Sequence, residues 1–382
     1  MPPNAVTRVL HIISGLNQGG AEQMLLQLLR KVDPVKYPME VVSLTSAGVV
    51  GERIERESGV VTKALHWERW RKRILALRDL RKSVESFQPD ILQGWMYHGN
   101  IAGWLARKLA PGNPHLVWNI RCSLDALEKF NRTTRACIGL AGRLSSSVNR
   151  IVYNSAHSSA QHHQRGYAVD RSIVIPNGID TCLFRPDPMR KEQLLKGLGL
   201  PPGTNLFGHI ARYDPLKDHQ TLLAAVREVV NRRDDAVFVL AGRNVDWSNR
   251  ILTREIADLQ IGKHVRLLGE VQEVAALMAG LDVSVCSSMA EGFPTVVAES
   301  MACEVPCVTT DVGDAAEIVG DAGAVVARRD PGALAKACLT LIDLDRDRRL
   351  SLAAKCRKRI KEKFSLDSVV QRYEEVYSQR DN

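Results

Sequence analysis

Short β-branched apolar runs alternate with longer amphipathic stretches along this chain, and the alternation starts twice. In the first half the runs are Arg8–Ile13, Glu40–Leu44, Asp90–Gly94, His115–Ile120, Arg150–Asn154 and Ser172–Ile175. Helical patterns such as Ala21–Leu29, Asn100–Ala110 and Ser155–Arg165 separate them. The turn cluster Pro176-Asn177-Gly178-Ile179-Asp180 ends this series, and a Pro- and Gly-containing segment that reads as loose runs on to Thr204. Fresh runs then follow at Leu206–Ala211, Ala236–Leu240, His264–Leu268, Val283–Ser287 and Pro306–Thr309. Such a rhythm buries its strands only in a mostly parallel sheet with helices on both faces. The chain therefore reads as α/β with two Rossmann-like domains joined near residue 180, which suits its 382 residues. Ligands in this architecture bind at the carboxyl ends of the strands, so two such domains predict a facing central cleft.

No apolar run approaches the roughly 18–20 residues that span a bilayer. The opening Met1-Pro2-Pro3-Asn4-Ala5 lacks the basic and apolar regions of a signal peptide, so the expected location is the cytoplasm. Eight scattered cysteines without histidine partners at zinc spacing read as free buried thiols, and neither a metal site nor a cofactor site is expected. Charge is unevenly spread. Residues 1–180 carry 24 Lys/Arg against 14 Asp/Glu, and residues 181–382 carry 28 against 29. The first half should therefore face something anionic. Nucleic acid is disfavoured, because aromatic content is 5% and no recognition motif occurs.

Three constellations carry chemistry. In Glu291-Gly292-Phe293-Pro294-Thr295-Val296-Val297-Ala298-Glu299, Pro294 suits the first position of a helix and Gly292 allows close backbone approach. The N–H groups that follow form an anion site, and Thr295 and Glu299 share one helix face behind it. Glu299 can accept hydrogen bonds from a ribose diol, and Glu291 from a hexose hydroxyl. In Gly208 to Asp218, Arg212 and Lys217 bracket a strand-to-helix loop and suit a diphosphate. In Gly15 to Glu22, Gly19 and Gly20 stand at a helix start, but the spacing misses the dinucleotide fingerprint and disfavours NAD. Each pattern alone also fits a plain capped helix or solvated loop charges.

Together these residues resemble glycosyltransferase family four, the retaining enzymes of the GT-B fold. The matching features are Gly19-Gly20, Pro176–Asp180, Arg212 with Lys217, the strand Val265–Gly269 followed by Glu270, and the Glu291–Glu299 pair. The resemblance implies an N-terminal acceptor-binding domain over 1–179, a nucleotide-sugar domain over 180–365, and a helix over 366–382 that crosses back to the first. It implies that Arg212 and Lys217 hold the donor diphosphate, Glu299 the ribose and Glu291 the transferred sugar. Backbone at Gly292, Phe293, Pro294 and Thr295 would touch sugar and phosphate, Leu268 and Glu270 would line the base pocket, and Gly19-Gly20 would face the phosphates. The implied reaction is metal-independent hexosyl transfer, from a UDP-sugar by preference, to a saccharide or lipid-linked saccharide in polysaccharide biosynthesis.

One position departs from the family pattern. Where many members carry histidine after the strand Val117–Ile120, this chain has Arg121, which cannot act as a base but can bind a hydroxyl or a phosphate. His98 and Asn100 are the acceptor-side candidates, and His98 reads equally well as a hydrogen-bonded histidine at a helix start. The run His66 to Lys82 places Trp67, Trp70, Ile74 and Leu77 near one helical face among basic residues. It reads either as an interfacial helix on the inner face of an anionic membrane or as a helix with its stripe in the core. Two other functions suit the same fold: a nucleotide-sugar epimerase or hydrolase, and a non-catalytic binding protein.

Overall fold

A computed structural model describes residues 6–17, 19–67 and 73–379, with backbone alone at 73 and 74. The chain divides into two compact units, Met1–Gly178 with Leu366–Asn382, and Ile179–Ser365.

The first unit holds seven strands: β1 Val9–Ile13, β2 Met39–Ser43, β3 Thr62–Ala64, β4 Ile91–Trp95, β5 His115–Ile120, β6 Arg150–Tyr153 and β7 Ser172–Val174. Its helices are α1 Gly20–Lys31, α2 Gly48–Ser58, α3 Arg73–Phe87, α4 Met96–Leu109, α5 Arg132–Leu144 and α6 Ala156–His163. All strands run parallel in the order β3-β2-β1-β4-β5-β6-β7. Central β1 is apolar on both faces, as a doubly covered parallel strand requires. Val9 and Ile13 join one core with Met24 and Leu28 of α1 and Ile54 of α2. Leu10 and Ile12 join the opposite core with Leu80 of α3, Ala106 of α4 and Ile138 of α5. Each such side chain removed from water contributes about 1.5–3 kcal/mol.

The second unit holds α7 Arg190–Gly197, β8 Asn205–Ile210, α8 His219–Val230, β9 Ala236–Ala241, α9 Arg250–Asp258, β10 Val265–Leu267 and α10 Val274–Ala279. It continues through β11 Val283–Cys286, α11 Thr295–Ala302, β12 Cys307–Thr310, α12 Ala315–Val319, β13 Gly323–Val326, α13 Pro331–Ile342 and α14 Arg346–Lys363. Its six parallel strands lie in the order β10-β9-β8-β11-β12-β13. The segment expected to be loose contains α7. The final helix, α15 Leu366–Ser378, belongs to the first unit and adds Val369, Tyr373 and Tyr377 to its core. At the two crossings the chain is stitched to itself, with Ile179 N–H donating to Phe364 O at 2.8 Å.

All eight cysteines are free, and Cys182 is exposed rather than buried. No helix among the described residues is long and apolar enough to cross a membrane.

Candidate functional site

Each sheet reverses its strand order once, between β1 and β4 in the first unit and between β8 and β11 in the second. The loops leaving those strands form the crevice in which open α/β sheets bind ligands. The glycine loop and His98 leave β1 and β4. Arg212, Lys217 and the Glu291–Glu299 segment leave β8 and β11.

In the second unit the two loops are sewn together. Met289 N–H donates to Leu216 O at 2.7 Å, Ser287 Oγ donates to Lys217 O at 2.8 Å, and Thr310 Oγ1 donates to Ser288 O at 2.6 Å. These bonds bring Lys217 against Glu291, and the ammonium and carboxylate form an ion pair. The side chains are 18% and 16% exposed. Ser288 Oγ donates to the same carboxylate oxygen at 2.8 Å. Burial acts against the Lys217 charge, but the Glu291 carboxylate outweighs it and holds the pKa above its ordinary value. The ammonium is therefore permanent at neutral pH, and removing Glu291 would strand a buried charge.

Arg212 is half exposed, and its Nε donates to Asp214 at 3.2 Å. Its two terminal nitrogens have no protein partner in the described structure. Asp214 also accepts from Leu216 N–H at 2.8 Å, which shapes the loop. Asp218 caps α8 by accepting from Thr221 N–H at 3.2 Å. Its left-handed φ of 48° turns the chain sharply between Lys217 and the helix.

Pro294 precedes α11 instead of opening it, with ψ at 86°, and no side chain caps the helix. Val297 N–H donates to Pro294 O at 3.0 Å, and the start of α11 forms the positive end of the helix dipole. The Phe293 ring is buried against Phe364, centroids 5.6 Å apart, so this residue offers a ligand its backbone only. Gly313, at φ +53°, lies against Gly292 O so closely that a Cβ would not fit. Glu299 stands one turn into the helix, half-buried, and desolvation pushes its pKa up to about 8. Leu268 is half-buried and Glu270 exposed. Between them Gly269 O accepts from Gly242 N–H at 2.7 Å, and a Cβ at Gly242 would collide with Ala211 O just after β8.

Sequence reasoning missed Ser288 and Gly242. Ser-Ser directly after an apolar strand and Gly-Arg directly after β9 are the signals that would have found them.

In the first unit Gly19 precedes α1 and Gly20 begins it, again with no side-chain cap. The Glu22 carboxyl folds over Gly19, and burial raises its pKa. Gln18 lies outside the described residues. His98 is half-buried, and desolvation lowers its pKa. Asn100 is fully buried, with its Oδ1 accepting from Asn119 N–H at 3.3 Å, which leaves His98 as the more accessible of the two acceptor-side candidates.

Arg121 is buried in a cage of neutral groups. Its Nε donates to Asn177 Oδ1 at 3.1 Å, Nη1 to Asn119 Oδ1 at 3.0 Å and Tyr373 OH at 2.7 Å, and Nη2 also to Asn177. The guanidinium lies 5.9 Å from the Trp95 ring centre. One of its five N–H bonds is left for a ligand. Among the described residues no carboxylate pairs with it, and burial lowers its pKa from the usual value. Among the described residues no group of three or more His, Cys, Asp or Glu side chains is placed to hold a metal ion.

Known proteins extend this picture. The profile described as "Glycosyltransferase Family 4" matches residues 18–182, and that described as "Glycosyl transferases group 1" matches residues 204–344. The chain is 30% identical over 313 residues to a D-inositol 3-phosphate glycosyltransferase of Thermomonospora curvata, covering 76% of this chain and 71% of that protein. It is 25% identical to the lipopolysaccharide core biosynthesis mannosyltransferase LpsB of Rhizobium meliloti, over 71% of this chain and 81% of that one. In fold it is similar to Anabaena HepE in complex with UDP-glucose, with a TM-score of 0.83, 20% identity, and coverage of 98% and 100%.

Proposed function

This chain belongs to glycosyltransferase family 4, with the GT-B fold, and from that premise we propose how it divides its reaction between its two units. It is an enzyme that transfers a sugar from a nucleotide sugar. The second unit holds the donor, a UDP-hexose, and the first presents a saccharide or lipid-linked saccharide acceptor in glycan or polysaccharide synthesis. The observation that carries this reading is the Lys217–Glu291–Ser288 cluster at the strand-order reversal of the second sheet.

Lys217 and the free terminal nitrogens of Arg212 bind the donor diphosphate, with the uncapped start of α11 as a third source of positive potential. Their attraction grows as the C1–O bond to phosphate breaks and charge builds on the leaving group, so they lower the barrier as well as bind. Glu291 accepts from hydroxyls of the transferred hexose, and Ser288 together with Lys217 fixes its orientation. Glu299 accepts from the ribose diol. Leu268 and Glu270 flank the base. With no base at Arg121, the acceptor oxygen bonds to C1 on the face the phosphate leaves, and its proton passes to a departing phosphate oxygen. That route retains the configuration at C1. Charge stabilisation by Arg212, Lys217 and α11 makes a divalent metal unnecessary. HepE, crystallised with UDP-glucose, supports the choice of uridine and of a hexose.

The test is a thermal-shift screen of UDP- and GDP-sugars followed by turnover assays. A true donor at 100 times its Kd adds about 2.7 kcal/mol of stability. Stabilisation by a UDP-hexose and acceptor-dependent release of UDP are the expected results. Stabilisation by GDP-sugars alone would overturn the uridine assignment. Conversion of the donor without any acceptor would favour the epimerase or hydrolase.

A further inference from the structure

The positive charge of the first unit is sorted by the two faces of its sheet. Helices α3, α4 and α5, which cover the face bearing Leu10 and Ile12, carry nine Lys/Arg and two Asp/Glu. Helices α1, α2 and α15, which cover the opposite face, carry five and seven. Ion pairing differs in the same sense. On the acidic layer Arg30, Arg53 and Arg56 all reach Glu57, and Lys31 reaches Asp367. On the basic layer Arg78, Arg132, Arg135 and Arg143 have no carboxylate within ion-pair distance among the described residues. All four are exposed.

Apolar side chains lie among those cations. The buried stripe of α3 is Ala76, Leu80 and Val84; of the expected stripe, Leu77 is exposed, Trp67 packs against the core, and the side chains at 70 and 74 lie outside the described part. Leu75 and Leu77 of α3, Leu109 of α4 and Leu140 of α5 are each more than a third exposed. The Trp67–Lys82 run continues into residues 68–72, which lie outside the described part, but α4 and α5 extend the basic surface independently of it.

We propose that the outer surface of α3, α4 and α5 docks on an anionic lipid bilayer. Unpaired guanidinium groups supply attraction to headgroups, and leucines between them supply shallow apolar insertion, the combination that marks interfacial helices. A soluble acidic polymer would account for the cations but not for four exposed leucines. The surface lies on the first unit, while the donor residues lie on the second, so this docking stands or falls apart from the donor assignment.

The experiment is co-sedimentation of the full chain with vesicles of phosphatidylcholine, alone or mixed with phosphatidylglycerol, over a salt series. Wild type should bind the mixed vesicles only, and binding should fade as salt rises. Arg132→Gln, Arg135→Gln and Arg143→Gln together should weaken binding by roughly 10²-fold, the effect of three contacting cations. Arg53→Gln with Arg56→Gln, on the acidic layer, should leave it unchanged. Donor-induced thermal shift, which reads the second unit and shows that each variant is folded, should be the same in all. The proposal falls if folded wild type ignores anionic vesicles at low salt, or if the α5 variant binds them like wild type. It also falls if the protein is retained only by an acidic polysaccharide.

Discussion

Two buried cations stand at carboxyl ends of strands in this protein, and their surroundings differ in kind. Lys217 meets a carboxylate, itself held by a serine. Arg121 meets amide oxygens, a phenol and an indole face. A cation paired with a carboxylate can exchange partners when a diphosphate arrives, because both anions compete for one ammonium. A cation caged by dipoles has no such exchange to make. Its partners come from β5, from the segment before the crossing and from α15, so it ties three separate stretches of chain together. Position at a strand end is shared; what differs is the partner, a carboxylate for Lys217 and neutral dipoles for Arg121.

Substitutions at the two sites should separate those roles. Lys217→Ala is expected to lower donor turnover by about 10²-fold or more, the scale of losing one preorganised charge contact. Turnover within a few-fold of wild type, in protein shown to be folded, would remove Lys217 from the mechanism. Arg121→Ala is expected to act on stability, by roughly 2–4 kcal/mol, because Asn119, Asn177 and Tyr373 lose a charged partner together. Urea titration measures this. A folded Arg121→Ala protein with unchanged midpoint but turnover down a hundredfold would make Arg121 a substrate contact through its remaining N–H.

The third test concerns pH. The raised Glu299 pKa means that the folded state holds this proton more tightly than the unfolded chain does. Its contribution to stability is therefore complete below the ordinary glutamate range and is lost as pH rises toward about 8. Glu299→Gln should remove that decline, a difference on the order of 1–3 kcal/mol between pH 5 and pH 8 after allowance for partial exposure. Parallel stability–pH curves for wild type and variant would show that Glu299 is ionised throughout. The smallest effect expected is none: excess EDTA should leave turnover unchanged. Activity abolished by EDTA and restored by Mg²⁺ or Mn²⁺ would show that the cationic cluster alone does not carry the leaving group.

Central strands were legible in the sequence because residues buried on both faces leave a continuous or nearly continuous apolar run, as in Ala236–Ala241 and, broken only by His11, Val9–Ile13. The edge strands β3 and β13 were not. Thr62-Lys63-Ala64 is half-buried with no large apolar residue, and Gly323-Ala324 opens the other edge. Helix α7 was hidden by the prolines around it. In the second unit the positions of the loops could be read because glycine, proline and charged residues occur at fixed offsets from strand ends. Pairing of Lys217 with Glu291 could not, since 74 residues separate them and only the adjacency of β8 and β11 brings them together. The engagement of Arg121 was out of reach for the same reason: Tyr373 is 252 residues away.

The place of α15 bears on how a ribosome delivers this protein. Leu366, Val369, Val370, Tyr373, Val376 and Tyr377 complete a core whose other side chains are made first. At about 5–20 residues per second, the nascent first unit waits roughly ten to forty seconds for its last helix. During that interval Tyr37, Trp95 and the apolar face of α1 lack their final cover, and the whole of Ile179–Ser365 is made before α15 follows. Order of synthesis and order of completion are thus opposite. A chain stopped before Leu366 would carry a finished second unit beside an open apolar groove, a surface for chaperones to hold.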